Sequence, residues 1–209
     1  MWRSHVLPRL VDLSLRGHEL GERRALACAG LSGRVLELGF GSGLNVRWYP
    51  PEVTEVHAVE PEDVAWGLSE RRRARTSLPI VRTGLDGQHL AAADASYDGV
   101  LITFTLCTIP DAEGALAEVR RVLRPGGSVH VLEHGLAPEP GVARWQRRLE
   151  PTQRRFAGGC HLTRDPFALL SAAGFVLHDR ATEYLTSAAA GRPWHYLYRA
   201  RATARWVSP

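Results

Sequence analysis

The residue types best suited to chemistry lie in a glycine-rich segment near the start of the chain. Gly39, Gly41 and Gly43 alternate with other residues directly after an apolar run that ends at Leu38. Glycines let such a loop turn sharply and let its backbone approach a ligand closely. Glu60 follows about twenty residues later, where an acid can accept hydrogen bonds from ribose hydroxyls. The pattern predicts a nucleotide-type ligand at this loop; the alternative for Glu60 is an ordinary surface glutamate.

The spacing of the glycines distinguishes two classes of ligand. A dinucleotide fingerprint GxGxxG that began at Gly39 would need glycine where Leu44 stands. The same pattern begun at Gly41 fails because its last position is Val46. The sequence therefore disfavours a nicotinamide-dependent oxidoreductase, and a non-catalytic cofactor-binding protein stays open as a further alternative.

Alternating strand-like and helix-like segments must position this loop, and they indicate a parallel sheet with helices on both faces. The predicted strands cover residues 34–38, 55–60, 78–82, 97–105, 128–133, 175–184 and 194–205. The predicted helices cover residues 63–75, 111–124, 141–156 and 165–173, with Asp111 as an N-cap. A short helix is also predicted between the glycine loop and Tyr49, where its free N–H groups would favour an anion.

Length and composition are those of one globular domain. The 209 residues are 44% hydrophobic and 23% charged, which is typical of a folded chain. We expect a single domain over residues 1–209, with a helical cap at 1–30 and a catalytic core at 31–205. The net charge of +4 comes from arginine, since the chain has no lysine. Its densest basic cluster, residues 71–75, is interpreted as a solvated helix face, with anion or RNA binding as the alternative.

The cysteines and the apolar segments bear on the compartment. Cys28, Cys107 and Cys160 lie far apart without CxxC spacing, so their spacing predicts neither a disulfide framework nor a metal site. A reducing, cytoplasmic compartment is expected. Charged residues interrupt any signal-peptide core near the start, and the longest apolar stretch, residues 100–109, is too short to span a bilayer. A soluble protein is expected, and the sequence does not indicate an oligomeric state.

Further motifs follow the Glu-x-Gly-x-Gly-x-Gly segment at residues 37–43. They are Ser-Tyr-Asp at 96–98, Ile-Pro-Asp at 109–111 and Val-Arg-Arg-Val-Leu-Arg-Pro-Gly-Gly at 119–127. In this order they resemble the class I S-adenosylmethionine-dependent methyltransferases, from about residue 30 to residue 200. The resemblance implies a Rossmann-like α/β fold with a seven-stranded, mostly parallel sheet in the order 3-2-1-4-5-7-6 and the last strand antiparallel. It also implies S-adenosyl-L-methionine as the cofactor and S-adenosyl-L-homocysteine as the product.

A narrower resemblance rests on residues 43–45 with 49–50, 58–61, 132–134 and 159–165. These segments are similar to the methyltransferase-like family that includes mammalian thiol S-methyltransferases. Mammalian members carry an N-terminal membrane anchor that this sequence does not show, so the chain is expected to resemble their soluble bacterial relatives. The implied acceptor is a small, hydrophobic molecule such as a thiol, a phenol or a quinol.

The resemblance assigns cofactor binding to residues that follow the first four strands, namely Glu37, Gly39, Phe40, Gly41, Gly43, Glu60, Pro61, Asp86, Gly87, Gln88, Thr103 and Phe104. Glu60 would bind the ribose and Pro61 would lie near the adenine. Gln88 stands where the family commonly has glutamate, and Ala91 where it commonly has proline. The adenine contacts are therefore assigned to residues 86–88, and Thr103 with Phe104 is expected to line the methyl-transfer channel.

Methyl transfer requires alignment of the reacting atoms and exclusion of water. A base is needed only if the acceptor must lose a proton, and a thiol with a pKa near 8.5 is already partly ionised at neutral pH. His134 is the candidate base or substrate-orienting residue, with a structural histidine as the alternative. Candidates for the substrate pocket, with buried packing as the alternative, are Cys107, His161, Trp145 and Trp194. Residues 1–30 and 141–165 are expected to form a lid over the acceptor site.

Nucleic-acid methylation is the main alternative within the same chemistry. Amino-group methyltransferases of bases usually place an Asn/Asp-Pro-Pro-aromatic turn after the fourth strand, whereas residues 105–108 read Thr-Leu-Cys-Thr. No added RNA-binding module is visible. The expected partner is therefore a small-molecule methyl acceptor, with no nucleic acid and no membrane span.

Overall fold

The structure, a computed structural model, describes residues 2–205 apart from the side chain of Arg3. Its strands are β1 (Gly33–Leu38), β2 (Val53–Val59), β3 (Ile80–Gly84), β4 (Tyr97–Thr103), β5 (Leu123–His134), β6 (Phe175–Tyr184) and β7 (Tyr196–Ala204). Its α-helices are α1 (Leu7–Leu15), α2 (His18–Cys28), α3 (Asp63–Leu68), α4 (Glu70–Arg73), α5 (Ala112–Val122), α6 (Pro140–Phe156) and α7 (Pro166–Ala172).

The seven described strands form one sheet in the order β3-β2-β1-β4-β5-β7-β6. Strands β1 to β5 pair in parallel, and β7 runs antiparallel to both β5 and β6. The predicted strand order and antiparallel last strand are confirmed. Leu38 pairs with Val59 on one side and Ile102 on the other, so the carboxyl ends of β1, β2 and β4 meet at one edge. Because the strand order reverses between β1 and β4, a crevice opens there.

Both faces of the sheet are covered, as the uninterrupted apolar runs of the parallel strands require. The side chains of residues 100–102 in β4 point alternately to the two faces, and all three are fully buried. Helix α5 covers one face with the fully buried Leu116 and Val119. It begins where the Asp111 carboxylate accepts a hydrogen bond from the Gly114 backbone N–H at 2.8 Å, which confirms the predicted N-cap.

The short helix predicted after the glycine loop is a single 3-10 turn and not an α-helix. The structure has a three-residue 3-10 turn at Val46–Trp48, followed by Tyr49 in extended backbone with φ −61° and ψ 128°. A residue before proline is pushed out of the helical region, and Pro50 follows Tyr49 directly. A ligand at this loop would therefore not face the N-terminus of an α-helix.

Several other element boundaries also differ from the prediction, among them the following three. The helix predicted at 63–75 breaks at Ser69, whose hydroxyl donates to the Trp66 carbonyl at 2.6 Å and so competes with helical pairing. Strand β5 begins at Leu123, which pairs with Tyr97, and regular pairing resumes at Ser128. The last predicted strand loses residues 194–195, because the 3-10 turn Ala189–Trp194 precedes β7.

The N-terminal segment places α1 across the crevice. Leu7, Val11 and Leu15 of α1 line the crevice, whereas Leu10 of the same helix does not. Asp12 is buried in the contact that α1 makes with the glycine loop. Among the described residues, no helix combines the length and apolar character needed to cross a membrane.

Candidate functional site

A cavity of about 410 Å³ lies at the carboxyl edge of the sheet, beneath α1. Its volume falls within the range of small-molecule sites. The wall contains ten of the twelve predicted cofactor-binding residues: Gly39, Phe40, Gly41, Glu60, Pro61, Asp86, Gly87, Gln88, Thr103 and Phe104. The structure therefore brings together residues that come from four separate stretches of the chain.

The glycine loop needs its glycines for two different reasons. At Gly39 the backbone has φ +75°, and a Cβ atom would lie 2.0 Å from the Thr105 hydroxyl oxygen, so only glycine fits. At Gly41 the backbone also has a positive φ, but a Cβ atom would meet no heavy atom within 4 Å. Gly41 therefore leaves its backbone open to a ligand in the cavity. Gly43 lies off the wall and packs against Ser69.

Glu60 joins the end of β2 to the glycine loop. One carboxylate oxygen accepts the Gly41 backbone N–H at 2.6 Å, and the other accepts the Glu62 backbone N–H at 2.8 Å. Burial raises the pKa of Glu60, while these two N–H groups oppose the shift. Because an ionised carboxylate offers about four lone-pair sites, Glu60 can still accept hydrogen bonds from hydroxyls in the cavity.

Glu37 lies behind the wall and belongs to a buried polar network. Its carboxylate accepts hydrogen bonds from the Asn45 amide at 2.6 Å and from the Tyr49 hydroxyl. The Asn45 amide oxygen in turn accepts from the Arg24 guanidinium at 2.8 Å, and Thr103 accepts from both Asn45 and Arg24. Burial raises the pKa of Glu37 to about 7, although Tyr49 and Asn45 oppose the shift. The network fixes Arg24 and Thr103, which both reach the wall.

The loop after β3 closes another side of the cavity. The Asp86 carboxylate accepts the Gln88 backbone N–H at 2.9 Å and lies 2.9 Å from Nδ1 of His89. These two interactions lower the pKa of Asp86, the one with His89 being the larger cause. The Gln88 side chain accepts the Asp111 backbone N–H at 2.8 Å, which ties the loop to the start of α5. The loop is thus held in place by its own polar side chains.

Phe104 has an unusual backbone conformation at the end of β4. Its φ of +52° lies in the left-handed region that side-chain-bearing residues rarely adopt. The backbone N–H of Phe104 donates to the Leu132 carbonyl at 2.9 Å, and its ring lies 5.3 Å from the Arg24 guanidinium. Such strain persists only where the surroundings hold it, and it occurs most often at functional sites.

Helix α1 is fastened over the cavity through Asp12. The Asp12 carboxylate accepts a hydrogen bond from the Ser42 hydroxyl at 2.7 Å and forms an ion pair with Arg72 at 2.9 Å. The apolar side chains of α1 then face the glycine loop from above. From the second predicted lid segment, 141–165, the residues that reach the wall are Ala157 and Gly158.

His134 and Cys107 lie together outside the cavity wall described here. Nε2 of His134 lies 3.1 Å from Sγ of Cys160, and the ligand atoms of Cys107, His134 and Cys160 all lie within 4.8 Å of one another. The hydrogen bond with Cys107 and the contact with His134 lower the pKa of the Cys160 thiol. Neighbouring Glu133 accepts the backbone N–H groups of residues 105 and 106, and burial raises its pKa to about 7.

The remaining predicted substrate residues also lie off the wall. His161 contacts Glu150 of α6 at 2.9 Å. Trp145 is 55% exposed, and Trp194, 38% exposed, donates to the Gln153 side chain at 3.1 Å. Each of the three is part of the surface or the packing around α6 in this structure.

The sequence interpretation missed two residues that shape the site, Asp12 and Arg24. Both are charged yet buried, at 7% and 4% exposure. Asp12 lies between the apolar residues Val11 and Leu15 of α1, and a carboxylate in an amphipathic helix is ordinarily interpreted as a solvent-facing residue. No local pattern indicated their place in the site, because the partners that tie them to it, Asn45 and Thr103 for Arg24 and Ser42 and Arg72 for Asp12, are 21 to 79 positions away.

Comparison with known proteins agrees with this geometry. A family model described as a methyltransferase domain matches residues 36–131. The thiol S-methyltransferase TMT1B of Rattus norvegicus is 37% identical over 147 residues, which make up 68% of this chain and 59% of the rat protein. This chain thus spans less than two thirds of the length of that relative.

Two solved structures show the same fold. A SAM-dependent methyltransferase of Thermotoga maritima has a TM-score of 0.66 at 21% identity, with 94% of each chain covered. Phosphoethanolamine N-methyltransferase 2 of Haemonchus contortus, solved in complex with S-adenosyl-L-methionine, has a TM-score of 0.65 at 14% identity. The match covers 91% of this chain and 53% of the nematode protein.

Proposed function

Because this chain belongs to the S-adenosylmethionine-dependent methyltransferases, we propose that it transfers a methyl group to a small, apolar acceptor, with a thiol as the first candidate. The observation that carries the proposal is the cavity in which Gly41 exposes its backbone beside the Glu60 carboxylate. An open glycine backbone and a hydroxyl-accepting carboxylate at a strand-order reversal are the features that a nucleoside ligand needs.

The residues present fit the cofactor in both shape and charge. A Cβ atom at position 41 would project into open space, so the chain leaves room where a ligand must approach its backbone. Glu60 has lone pairs free for the two ribose hydroxyls after its own two hydrogen bonds are counted. The cavity volume of about 410 Å³ is also large enough for a ligand of this class.

Arg24 is the residue of the wall that we assign to the carboxylate of the methionine portion. Its guanidinium is buried and already donates to Asn45 and Thr103 from Nη1. Among the described residues, its Nε atom has no hydrogen-bond partner. A guanidinium with an unused donor is the natural partner of a carboxylate.

When bound, S-adenosyl-L-methionine supplies a methyl group that its positively charged sulfur activates toward a nucleophile. The tasks left to the chain are orientation and exclusion of water. Helix α1 covers the cavity with Leu7, Val11 and Leu15, and Asp12 fastens it to Ser42 of the glycine loop. Thr103 and Phe104 close the wall at the end of β4.

The apolar part of the wall favours an apolar acceptor. Side chains of α1 and Ile109 provide this part of the surface, and the relative described above is named a thiol S-methyltransferase. A thiol is partly ionised at neutral pH and needs little help from a base. His134 therefore has no proton-transfer role in this reaction, since its imidazole faces Cys160 rather than the cavity.

The test is a methyl-transfer assay with the full chain and labelled S-adenosyl-L-methionine. The acceptors are an alkanethiol, thiophenol, phenol, a hydroquinone and unmodified tRNA, and labelled products are separated by extraction and mass spectrometry. We expect the thiols to be methylated and the Glu60→Ala variant to lose most of this turnover. Asp63→Asn is the matched control, since Asp63 is a neighbouring acid with a 91% exposed side chain.

Two results would contradict the proposal in different ways. Labelled tRNA with no labelled small molecule would replace the acceptor class and leave the cofactor in place. Binding of NADH without binding of S-adenosyl-L-homocysteine, measured by calorimetry, would overturn the cofactor itself.

A further inference from the structure

Three side chains with sulfur or nitrogen ligand atoms meet outside the cavity, and the proposed methyl transfer does not use them. Cys107 follows β4, His134 ends β5, and Cys160 follows α6. We propose that these three residues form a binding site for a single thiophilic metal ion, for which Zn²⁺ is the representative ion. Metal binding at this site does not depend on the identity of the methyl acceptor.

The distances suit a tetrahedral ion. With Zn–S bonds of about 2.3 Å and Zn–N bonds of about 2.0 Å, two sulfurs would lie about 3.8 Å apart and a sulfur and a nitrogen about 3.5 Å apart. In the structure all three ligand atoms lie within 4.8 Å of one another, and His134 Nε2 lies 3.1 Å from Cys160 Sγ. Changes of at most about 1 Å in these distances, which side-chain torsions can supply, would therefore bring the three atoms to coordination distances.

The backbone around the ligands is held by hydrogen bonds that do not involve their side chains. The Cys107 carbonyl accepts the His161 backbone N–H at 2.8 Å, which places residue 160 beside residue 107. Gly158 and Gly159 have φ values of +67° and +95° and turn the chain after α6. The Cys160 backbone N–H then donates to the Ala157 carbonyl at 3.1 Å. The ligands are thus positioned by the fold before any ion binds.

The charge of the complex suits its surroundings. Two thiolates and one neutral imidazole around a divalent cation give a net charge of zero, so the bound site would bury no net charge. Cys107 and Cys160 are 4% and 7% exposed. Sulfur and imidazole ligands select zinc or monovalent copper over magnesium and calcium, which prefer oxygen.

Cys160 has a neighbouring donor of the kind found around such sites, whereas Nδ1 of His134 is buried and has no hydrogen-bond partner among the described residues. The Gln153 amide donates toward Cys160 Sγ at 3.7 Å, and its carbonyl oxygen is held by Trp194 at 3.1 Å. Three protein ligands would leave a fourth position for water or another exchangeable ligand. Thr108, beside Cys107, and Gly158, two residues before Cys160, line the cavity, so the proposed site borders it.

Cobalt titration of the full chain tests the proposal. The protein is purified with chelator and reductant, titrated with Co²⁺ as the spectroscopic probe, and then titrated with Zn²⁺. We expect one Co²⁺ per chain with a sulfur-to-cobalt charge-transfer band, which Zn²⁺ removes. Cys107→Ala, Cys160→Ala and His134→Ala should each weaken Zn²⁺ binding by more than the roughly 10- to 100-fold that loss of an outer-shell partner costs.

Cys28→Ala is the matched control. It removes the third cysteine, which is fully buried at the end of α2, and keeps all three proposed ligands. Circular dichroism separates a variant that has lost a ligand from one that has not folded. The proposal is overturned if the reduced wild type binds no metal, if its Co²⁺ spectrum lacks the sulfur band, or if the Cys107 and Cys160 variants bind Zn²⁺ like the wild type.

Discussion

Replacement of Glu60 separates its two roles, which are to hold the glycine loop and to bind the cofactor. In Glu60→Ala, the backbone N–H groups of Gly41 and Glu62 both lose their acceptor. An unpaired buried donor costs about 1–3 kcal/mol, and the lower value applies because both groups border a cavity that water can enter. The free energy of unfolding should therefore fall by about 2 kcal/mol, or about 4–8 °C in Tm for a domain of this size.

Cofactor affinity should fall by a separate amount. Hydrogen bonds to a charged group contribute about 1.5–3 kcal/mol, which corresponds to a dissociation constant about 10- to 160-fold higher. Glu60→Gln retains one acceptor oxygen, so it should lose about half as much stability as Glu60→Ala. Its affinity should still fall, because the amide replaces one accepting oxygen with a donor and carries no charge.

The assay is calorimetric titration with S-adenosyl-L-homocysteine at pH 7.5, beside a thermal melt of each variant. Asp63→Asn should match the wild type in affinity, because the Asp63 side chain is 91% exposed and outside the wall. An affinity within about twofold of the wild type in both Glu60 variants, together with the lower Tm, would refute the reasoning. Glu60 would then hold the loop without contacting the ligand.

Three other substitutions test separate parts of the site. Gly39→Ala should abolish binding of S-adenosyl-L-homocysteine and lower the Tm, since its Cβ would lie 2.0 Å from the Thr105 hydroxyl oxygen. Gly141→Ala is the control and should leave binding and Tm unchanged, because no heavy atom lies within 4 Å of its Cβ. Asp12→Ala should speed amide hydrogen exchange in α1 about 5- to 150-fold, which corresponds to the loss of about 1–3 kcal/mol. Substitution of the exposed Glu19 by alanine is the control and should leave exchange in α1 unchanged. Equal exchange rates in the two variants would show that other contacts hold α1. Burial raises the pKa of Glu37 from 4.5 to about 7, so the folded state holds a proton that the unfolded state releases, and the free energy of unfolding should decline by at most about 3 kcal/mol as the pH rises through this window. Urea unfolding at pH 5 and pH 8 should show a smaller decline in Glu37→Gln than in the wild type. An equal decline in both proteins would show that Glu37 does not cause this pH dependence.

Local sequence patterns predicted most of the strands and helices of the fold. The apolar runs of the parallel strands and the N-cap at Asp111 were predicted because neighbouring residues along the chain determine them. The order of the strands came from resemblance, and the structure confirms it. The short helix predicted after the glycine loop is a single 3-10 turn at Val46–Trp48, because Pro50 pushes Tyr49 into extended backbone and ends the segment there.

Some residues of the candidate site were also predictable from local sequence, and others were not. Gly39, Gly41 and Glu60 could be found from the sequence, because a tight turn and a carboxylate after a strand leave a pattern of residue types. The placement of His134 could not, since a position after a strand does not say whether the side chain faces the cavity or a neighbouring cysteine. Trp145 and Trp194 were assigned to the pocket by residue type, and both lie outside its wall.

The sequence by itself predicted which edge of the sheet would bind a nucleoside ligand, since backbone freedom and strand periodicity are properties of a few consecutive residues. Only the tertiary structure decided what covers that edge and what lies beside it. Asp12 reaches Ser42 across 30 positions, and Cys107, His134 and Cys160 meet although 26 or more positions separate each from the next. Such contacts depend on how whole elements pack, and residue spacing along the chain does not encode the distances that packing creates.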